Sequence, residues 1–214
     1  HRRNRKPTIT VYADPVIGLA SNLFARVSPQ VEAIELPPGY ELEWGGEYED
    51  SRNAQAGLSA SLPFFLVAMI LITVMLFNSL KQPLIIWLTV PLALIGVTAG
   101  LLSTHQPFGF MALLGFLSLS GMLIKNAIVL IDEISLQSAE DKPLLEAIVD
   151  SGCSRLRPVF MAALTTALGL IPLLFDAFFI SMAVTIIAGL LFATLLTMVV
   201  VPVLYATFYK TGTT

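Results

Sequence analysis

Charged residues are scarce in this sequence, and so are cysteine and histidine. Only 13% of the 214 residues are charged and 56% are apolar, with a mean hydropathy of +0.80, whereas charged residues make up about a quarter of an ordinary soluble domain. The single cysteine, Cys153, excludes an internal disulfide, and His1 and His105 form no metal-ligand cluster. A net charge of −3 provides no basic footprint for nucleic acid.

The patterns typical of enzymes are also missing. There is no Gly-rich phosphate loop, no nucleophile beside a base and no zinc-ligand spacing. We therefore expect neither an enzyme activity nor a bound cofactor. The seven methionines are dispersed along the chain, which favours a role in packing over a soft-metal relay.

The few charges are unevenly distributed, and their distribution predicts two parts. Residues 1–57 hold six Lys/Arg and eight Asp/Glu, whereas the other 157 residues hold six and seven. Because about 20 apolar residues cross the hydrocarbon of a bilayer, residues 58–214 are predicted to form a membrane domain. Its five predicted spans cover about 62–77, 84–102, 108–133, 158–175 and 178–208, and a polar connector with an amphipathic helix covers 134–157. The pair Gly96 and Gly100 is a possible packing face on the second span.

The N-terminal part has the pattern of a β-α-β unit. Residues 8–13 are β-rich and residues 40–46 alternate, so both stretches are predicted strands. Between them, Asp14 is the predicted cap of a helix that Pro29 should kink or split. A unit of about 40 residues is too small to be a comfortable domain, so we expect it to complete a larger domain encoded upstream. The predicted fold is a mainly α, polytopic membrane bundle with a small α+β piece.

The loop charges predict the orientation in the membrane. Lysines and arginines occur in the loop after span one, in the connector and in the tail, at Lys81, Lys142, Arg155, Arg157 and Lys210. The loops 103–109 and 174–178 have neither lysine nor arginine. By the positive-inside rule, the basic loops and the C-terminus are cytoplasmic, and residues 1–57 lie outside, in the periplasm.

Lys125 lies inside an apolar helix, where a span tolerates a charge least. Residues 108–124 carry no charge, and a lysine near the centre of a span costs about 2.5–3.5 kcal/mol on insertion scales. Helical spacing places it on a stripe that consists of Gly115, Ser118, Gly121, Lys125 and Asp132. Because small residues let a neighbouring helix come close, we predict that Lys125 faces into a helix bundle and switches partners as a proton arrives or leaves. The alternatives are a structural lysine held by a carboxylate and a lysine that reaches the membrane surface.

Two carboxylates, Asp132 and Glu133, lie on the same helix. At about 1.5 Å per residue, Asp132 is roughly 10 Å along the axis from Lys125, which is too far for a direct pair. Both carboxylates are therefore predicted to lie at the membrane interface.

The fourth span carries a second stripe, which consists of Arg155, Ala162, Thr166 and Gly169, with Thr165 at its border. Arg155 is placed at the cytoplasmic edge, where a plain topology anchor is the alternative to a functional role. The two threonines could bond across helices or to their own backbone, and the second outcome is the more frequent one in apolar helices.

These residues resemble a known family. The stretch Gly-Met-Leu-Ile-Lys125-Asn126-Ala-Ile-Val-Leu-Ile-Asp-Glu, the motifs Arg-Leu-Arg157-Pro and Leu-Gly169-Leu-Ile-Pro-Leu, and residues 42–49 and 76–79 are similar to the C-terminal part of resistance–nodulation–division (RND) efflux pumps. The resemblance covers nearly the whole chain. It implies a trimeric inner-membrane proton antiporter with a periplasmic adaptor and an outer-membrane channel as partners. This chain would supply the last five spans and the end of a periplasmic porter subdomain.

The resemblance also implies roles for individual residues. Lys125, next to Asn126, would form a relay with two aspartates on a helix of the N-terminal half, which this chain lacks, and Arg155 would lie at the cytoplasmic side of the path. The energy source would be the proton-motive force, and the chain alone would not pump. Ala162 departs from the threonine that many drug pumps carry there, and Thr165 or Thr166 is the candidate to replace that hydroxyl. Two alternatives stay open: a non-transporting scaffold, and a relative that exports metal ions, lipids or other cargo.

Overall fold

The computed structural model describes residues 2–3, 6–13, 20–139 and 142–209. The chain divides into two compact units, His1–Leu62 and Pro63–Thr214. The predicted cap at Asp14 and the predicted tail charge Lys210 lie outside the described residues.

The first unit is largely helical. Strands β1 (Arg2–Arg3) and β2 (Lys6–Pro7) pair antiparallel, helix α1 covers Ala20–Glu32, and the long helix α2 begins at Glu47 and ends at Phe77. The predicted strands at 8–13 and 40–46 are wrong, because both stretches are irregular in the structure. A strand needs a partner for its ladder and its apolar face, yet Ile9 remains 89% exposed.

A small aromatic cluster holds the first unit together. The ring of Phe24 stacks on Tyr48 with centroids 4.0 Å apart and meets the edge of Trp44 at 4.8 Å. The indole Nε1 of Trp44 donates a hydrogen bond to Glu32 Oε1 at 3.0 Å. These contacts join α1 to the start of α2. Pro29 does not split α1, since the helix continues to Glu32.

The second unit is a helical bundle built around one central helix. After α2 come α3 (Lys81–Ser103), α4 (Phe110–Ser138), α5 (Leu144–Gly169), a short 3₁₀ helix (Ile171–Phe175) and α6 (Ile180–Phe208). Five helices of the described chain are long and apolar enough to cross a membrane, which confirms the predicted bundle. The central helix is α6, which packs against α3, α4 and α5. It has no charged residue, as expected of a helix that is buried on most sides.

Glycines set the closest helix approaches. A Cβ atom added to Gly96 would lie 2.5 Å from Phe192 Cβ, and one added to Gly100 would collide with Ala188 Cβ, so the predicted glycine face of α3 packs directly on α6. Gly189 of α6 leaves room in turn for Leu119. Such contacts bring helix backbones close together where lipid supplies no hydrophobic driving force between helices.

The boundaries of the last spans differ from the prediction. Helix α4, the predicted third span, continues to Ser138. Helix α5, the predicted fourth span, begins at Leu144, directly after Pro143. The predicted connector at 134–157 is therefore mostly helical, and Pro158 lies inside α5 rather than at its start. Proline is tolerated inside membrane helices because neighbouring groups satisfy the backbone carbonyl that it leaves free.

Candidate functional site

The polar stripe of α4 faces away from the bundle. The side of the helix that carries Leu119, Leu123 and Leu130 is completely buried, with 0% exposure of each side chain. On the other side, four of the five stripe residues are exposed, namely Ser118, Gly121, Lys125 and Asp132. The fifth, Gly115, is buried against α6, where an added Cβ atom would lie 3.0 Å from the carbonyl oxygen of Met182.

Lys125 has no ion-pair partner within the described parts of the chain. The bundle of this chain leaves its face open, whereas the sequence predicted that a neighbouring helix would cover it. A lysine inside a span needs a partner or a water-filled cavity, because it otherwise costs about 2.5–3.5 kcal/mol. The open face of α4 is thus a surface that requires a polar neighbour. Asn126, the next residue, is half-buried beside it.

Arg155 and Glu133 join α5 to α4. The Arg155 guanidinium donates two hydrogen bonds to Oε2 of Glu133, one from Nη2 and one from Nε at 3.1 Å. Gln137, one turn further along α4, donates from Nε2 to the other carboxylate oxygen at 3.1 Å. The sequence predicted that Arg155 lies at the cytoplasmic side of a proton path, but it did not predict Glu133 as its partner.

The threonines of α5 bond to their own helix. The hydroxyl of Thr165 donates to the carbonyl of Met161 at 2.9 Å, and that of Thr166 donates to the carbonyl of Ala162 at 2.8 Å. This is the more frequent of the two arrangements considered from sequence. Each hydroxyl oxygen keeps a lone pair with which it can accept a hydrogen bond from another donor.

The remaining stripe residues of α5 lie on open surface. Ala162 is exposed, and an added Cβ atom at Gly169 would meet nothing within 4 Å among the described residues. Gly121 on α4 is equally open. The structure therefore brings Arg155 to α4, and none of the described helices covers Lys125, Gly121 or Gly169.

One helix–helix hydrogen bond was not foreseen. Gln82 of α3 donates from Nε2 to the hydroxyl of Ser135 on α4 at 3.1 Å, and Gln82 is buried. The two residues are far apart in sequence, so only the rotation of both helices could have revealed the contact. The C-terminal part of α4 is thus tied to α3 on one side and to α5 on the other.

This chain is similar to known proteins along nearly its whole length. A model of the AcrB/AcrD/AcrF family matches residues 1–209. The swarming motility protein SwrC of Bacillus subtilis is 30% identical over 210 residues, which are 94% of this chain and 20% of that protein. The cobalt-zinc-cadmium resistance protein CzcA of Cupriavidus metallidurans is 31% identical over 187 residues, which are 83% of this chain and 18% of that protein.

A solved structure shows the same helical arrangement. The crystal structure of a heavy metal efflux pump, in its crystal form II, superposes with a TM-score of 0.68 at 31% identity. The match covers 89% of this chain and 20% of that chain. This chain therefore spans about a fifth of the length of the relatives that it matches.

Proposed function

This chain belongs to the AcrB/AcrD/AcrF family, the RND permeases, and on that premise we propose that it is part of an efflux transporter that exchanges protons for drugs. The observation that carries this proposal is the open stripe of α4. It presents a lysine in the middle of a membrane-spanning helix, and the described residues of the chain give that lysine no ion-pair partner.

The ammonium group of Lys125 is costly inside a membrane-spanning helix. A charge inside a span is retained when it has a function or a counter-charge. In the proposed transporter, the counter-charge is an aspartate pair on a helix of the N-terminal half, and that helix covers the open face of α4. When protons bind to the aspartates, their attraction for Lys125 is lost and the ammonium group is released. Each charge that moves through the membrane field contributes about 2.3 kcal/mol per 100 mV, which is enough to bias a switch between two helix arrangements.

The other polar groups support a path along the same two helices. Arg155 lies in the N-terminal half of α5, which follows the basic connector on the proposed cytoplasmic side, and Thr165 and Thr166 lie further along that helix. We propose that these three residues, with Lys125 and Asn126, line the route of the proton. The proton-motive force is then the energy source, and no cofactor takes part.

The proposed setting follows from the loop charges and from the family. The transporter lies in the bacterial inner membrane, with residues 1–57 in the periplasm and the C-terminus in the cytoplasm. It acts as a homotrimer that includes the remainder of the permease, and it works with a periplasmic adaptor and an outer-membrane channel. In this arrangement the first unit, with its aromatic cluster, completes a porter subdomain.

Metal export is the second candidate, and the names of several matched proteins support it. CzcA carries the name of a cobalt, zinc and cadmium resistance protein, and CnrA of the same organism is a nickel and cobalt resistance protein. The matched solved structure is a heavy metal efflux pump. The multidrug resistance protein MdtC of Erwinia amylovora, at 29% identity, supports the drug reading.

Transport by the full-length permease decides between the two. The protein would be reconstituted in liposomes that contain a pH-sensitive dye, and either ethidium or Zn²⁺ would be supplied on the cargo side. Proton movement that begins with ethidium supports drug exchange, and movement that begins only with Zn²⁺ supports metal exchange. Proton movement with neither probe would contradict both drug exchange and metal exchange, and it would favour the non-transporting scaffold.

A further inference from the structure

Glu133 is held on both of its carboxylate oxygens. Oε2 accepts hydrogen bonds from Nη2 and Nε of Arg155, the latter at 3.1 Å, and Oε1 accepts one from Nε2 of Gln137 at 3.1 Å. A carboxylate with donors on both oxygens has one fixed orientation, and charge-assisted bonds of this kind are stronger than neutral ones. The Arg155 guanidinium therefore has a fixed position against α4.

Partial burial distinguishes this pair from an ordinary surface ion pair. The side chains of Arg155 and Glu133 are 35% and 19% exposed. A second described ion pair joins Lys142, just before α5, to Asp150 on α5; it is longer at 3.9 Å and more exposed, at 38% and 49%. Water and salt weaken an exposed pair more than a partly buried one, so the contact between Arg155 and Glu133 is the one able to fix helix positions.

The pair connects the two helices that carry the proposed relay residues. On α4, Lys125 lies eight residues before Glu133, about 12 Å along the axis. On α5, Thr166 lies eleven residues after Arg155, about 16 Å along the axis. A fixed contact between Glu133 and Arg155 sets how far α5 slides and rotates against α4, and it thereby sets the alignment of the two stripes.

We propose that Glu133 is a positioning residue of the transporter: it holds Arg155 so that the Lys125 stripe of α4 and the threonine stripe of α5 keep one alignment during the proton cycle. The inference rests on the proposed function, since it assigns Glu133 to the proton path described there. Glu133 holds Arg155 only in its ionised form, because protonation removes the charge that the guanidinium binds. Its role is therefore to place another residue and not to carry the transported proton.

Two measurements on the full-length permease test this role. The first is the distance between spin labels on α4 and α5, attached at Leu136→Cys and Val149→Cys after Cys153→Ser and removal of any other native cysteine. Both label sites are exposed, at 59% and 55%. The second is the rate of proton movement in liposomes as a function of cargo concentration, with ethidium and Zn²⁺ as the probes.

Glu133→Gln is the informative variant, since it keeps the shape of the side chain and removes its charge. We expect a broader distance distribution and a maximal rate lowered about tenfold, which corresponds to about 1.4 kcal/mol, with the KM for cargo unchanged. The charge exchange Glu133→Arg with Arg155→Glu should restore the narrow distance distribution. The matched control is Asp150→Asn, which breaks the exposed pair of the same helix and should change neither measurement.

Each outcome bears on the proposal. A broadened distance distribution with an unchanged maximal rate shows that the pair only stabilises the structure, and it overturns the positioning role. An unchanged distance and rate in Glu133→Gln overturns it as well, and so does a raised KM at an unchanged maximal rate. If the unaltered permease moves no protons with either probe, it is the proposed function that has failed, and the positioning role fails with it.

Discussion

Gly100 on α3 and Ala188 on α6 lie in such close contact that a Cβ atom at the glycine would occupy the space of the alanine methyl group. A few residues away, Gly96 lies against Phe192 in the same manner. The two helices therefore touch along a face that tolerates no added side chain. This contact helps to place α6 at the centre of the bundle, where it also packs against α4.

Filling this contact should destabilise the protein. We expect Gly100→Val to lower the stability of the bundle by about 1–3 kcal/mol, the usual effect of overpacking. Loss of monodisperse protein on heating in detergent is the measurement. Gly57→Ala is the control, because Gly57 lies on α2 and an added Cβ atom there meets nothing within 4 Å. Equal thermal stability of Gly100→Val and the unaltered protein would contradict the close contact.

The hydrogen bond between Gln82 and Ser135 should make a small contribution to stability. Ser135→Ala removes the acceptor that α4 offers to α3, and hydrogen bonds between membrane helices contribute on average about 0.6 kcal/mol. Ser154→Ala is the matched control, since that hydroxyl bonds to the carbonyl of Ser151 on its own helix. We expect Ser135→Ala to lower the midpoint of thermal unfolding more than Ser154→Ala does. The reverse order would show that the bond does not connect the helices in the membrane.

The threonines of α5 give a test of the departure at Ala162. If Thr166 supplies the hydroxyl that many related drug pumps have one turn earlier, Thr166→Val should lower proton-coupled export without affecting membrane insertion. Adding Ala162→Thr to that variant should restore export. The readout is the rate of cargo efflux from cells that produce the full-length permease at equal levels. Full export by Thr166→Val would exclude this hydroxyl from the path.

The spans could be predicted from the sequence because they depend on composition alone. A long run without charge, such as that before Lys125, predicts a helix that is long and apolar enough to cross a membrane. The glycine face of α3 was likewise visible, since Gly96 and Gly100 are one turn apart. The exact start of α5 could not be predicted, because a proline such as Pro158 is compatible both with the first turn of a helix and with the interior of a membrane helix.

The wrong strand predictions in the first unit have a different cause. The β-rich composition of 8–13 and the alternation at 40–46 indicate that both stretches suit a sheet, but they do not show whether a partner strand is present. The pair of Arg155 and Glu133 was missed for a related reason. The two residues are 22 positions apart, and their contact depends on how α4 and α5 are rotated against each other. Sequence spacing defines the stripes of one helix, and the packing of two helices decides which stripes meet.

One substitution at Lys125 tests most directly whether its ammonium group couples protons to transport. Lys125→Met removes the ammonium group and keeps an unbranched, flexible side chain, and Lys142→Met removes a charge from the connector as the control. We predict that the full-length permease with Lys125→Met inserts and assembles normally, while cargo-dependent proton movement in liposomes falls to the level of protein-free vesicles. The Lys142→Met variant should retain its proton movement. Undiminished proton movement in Lys125→Met would contradict the account.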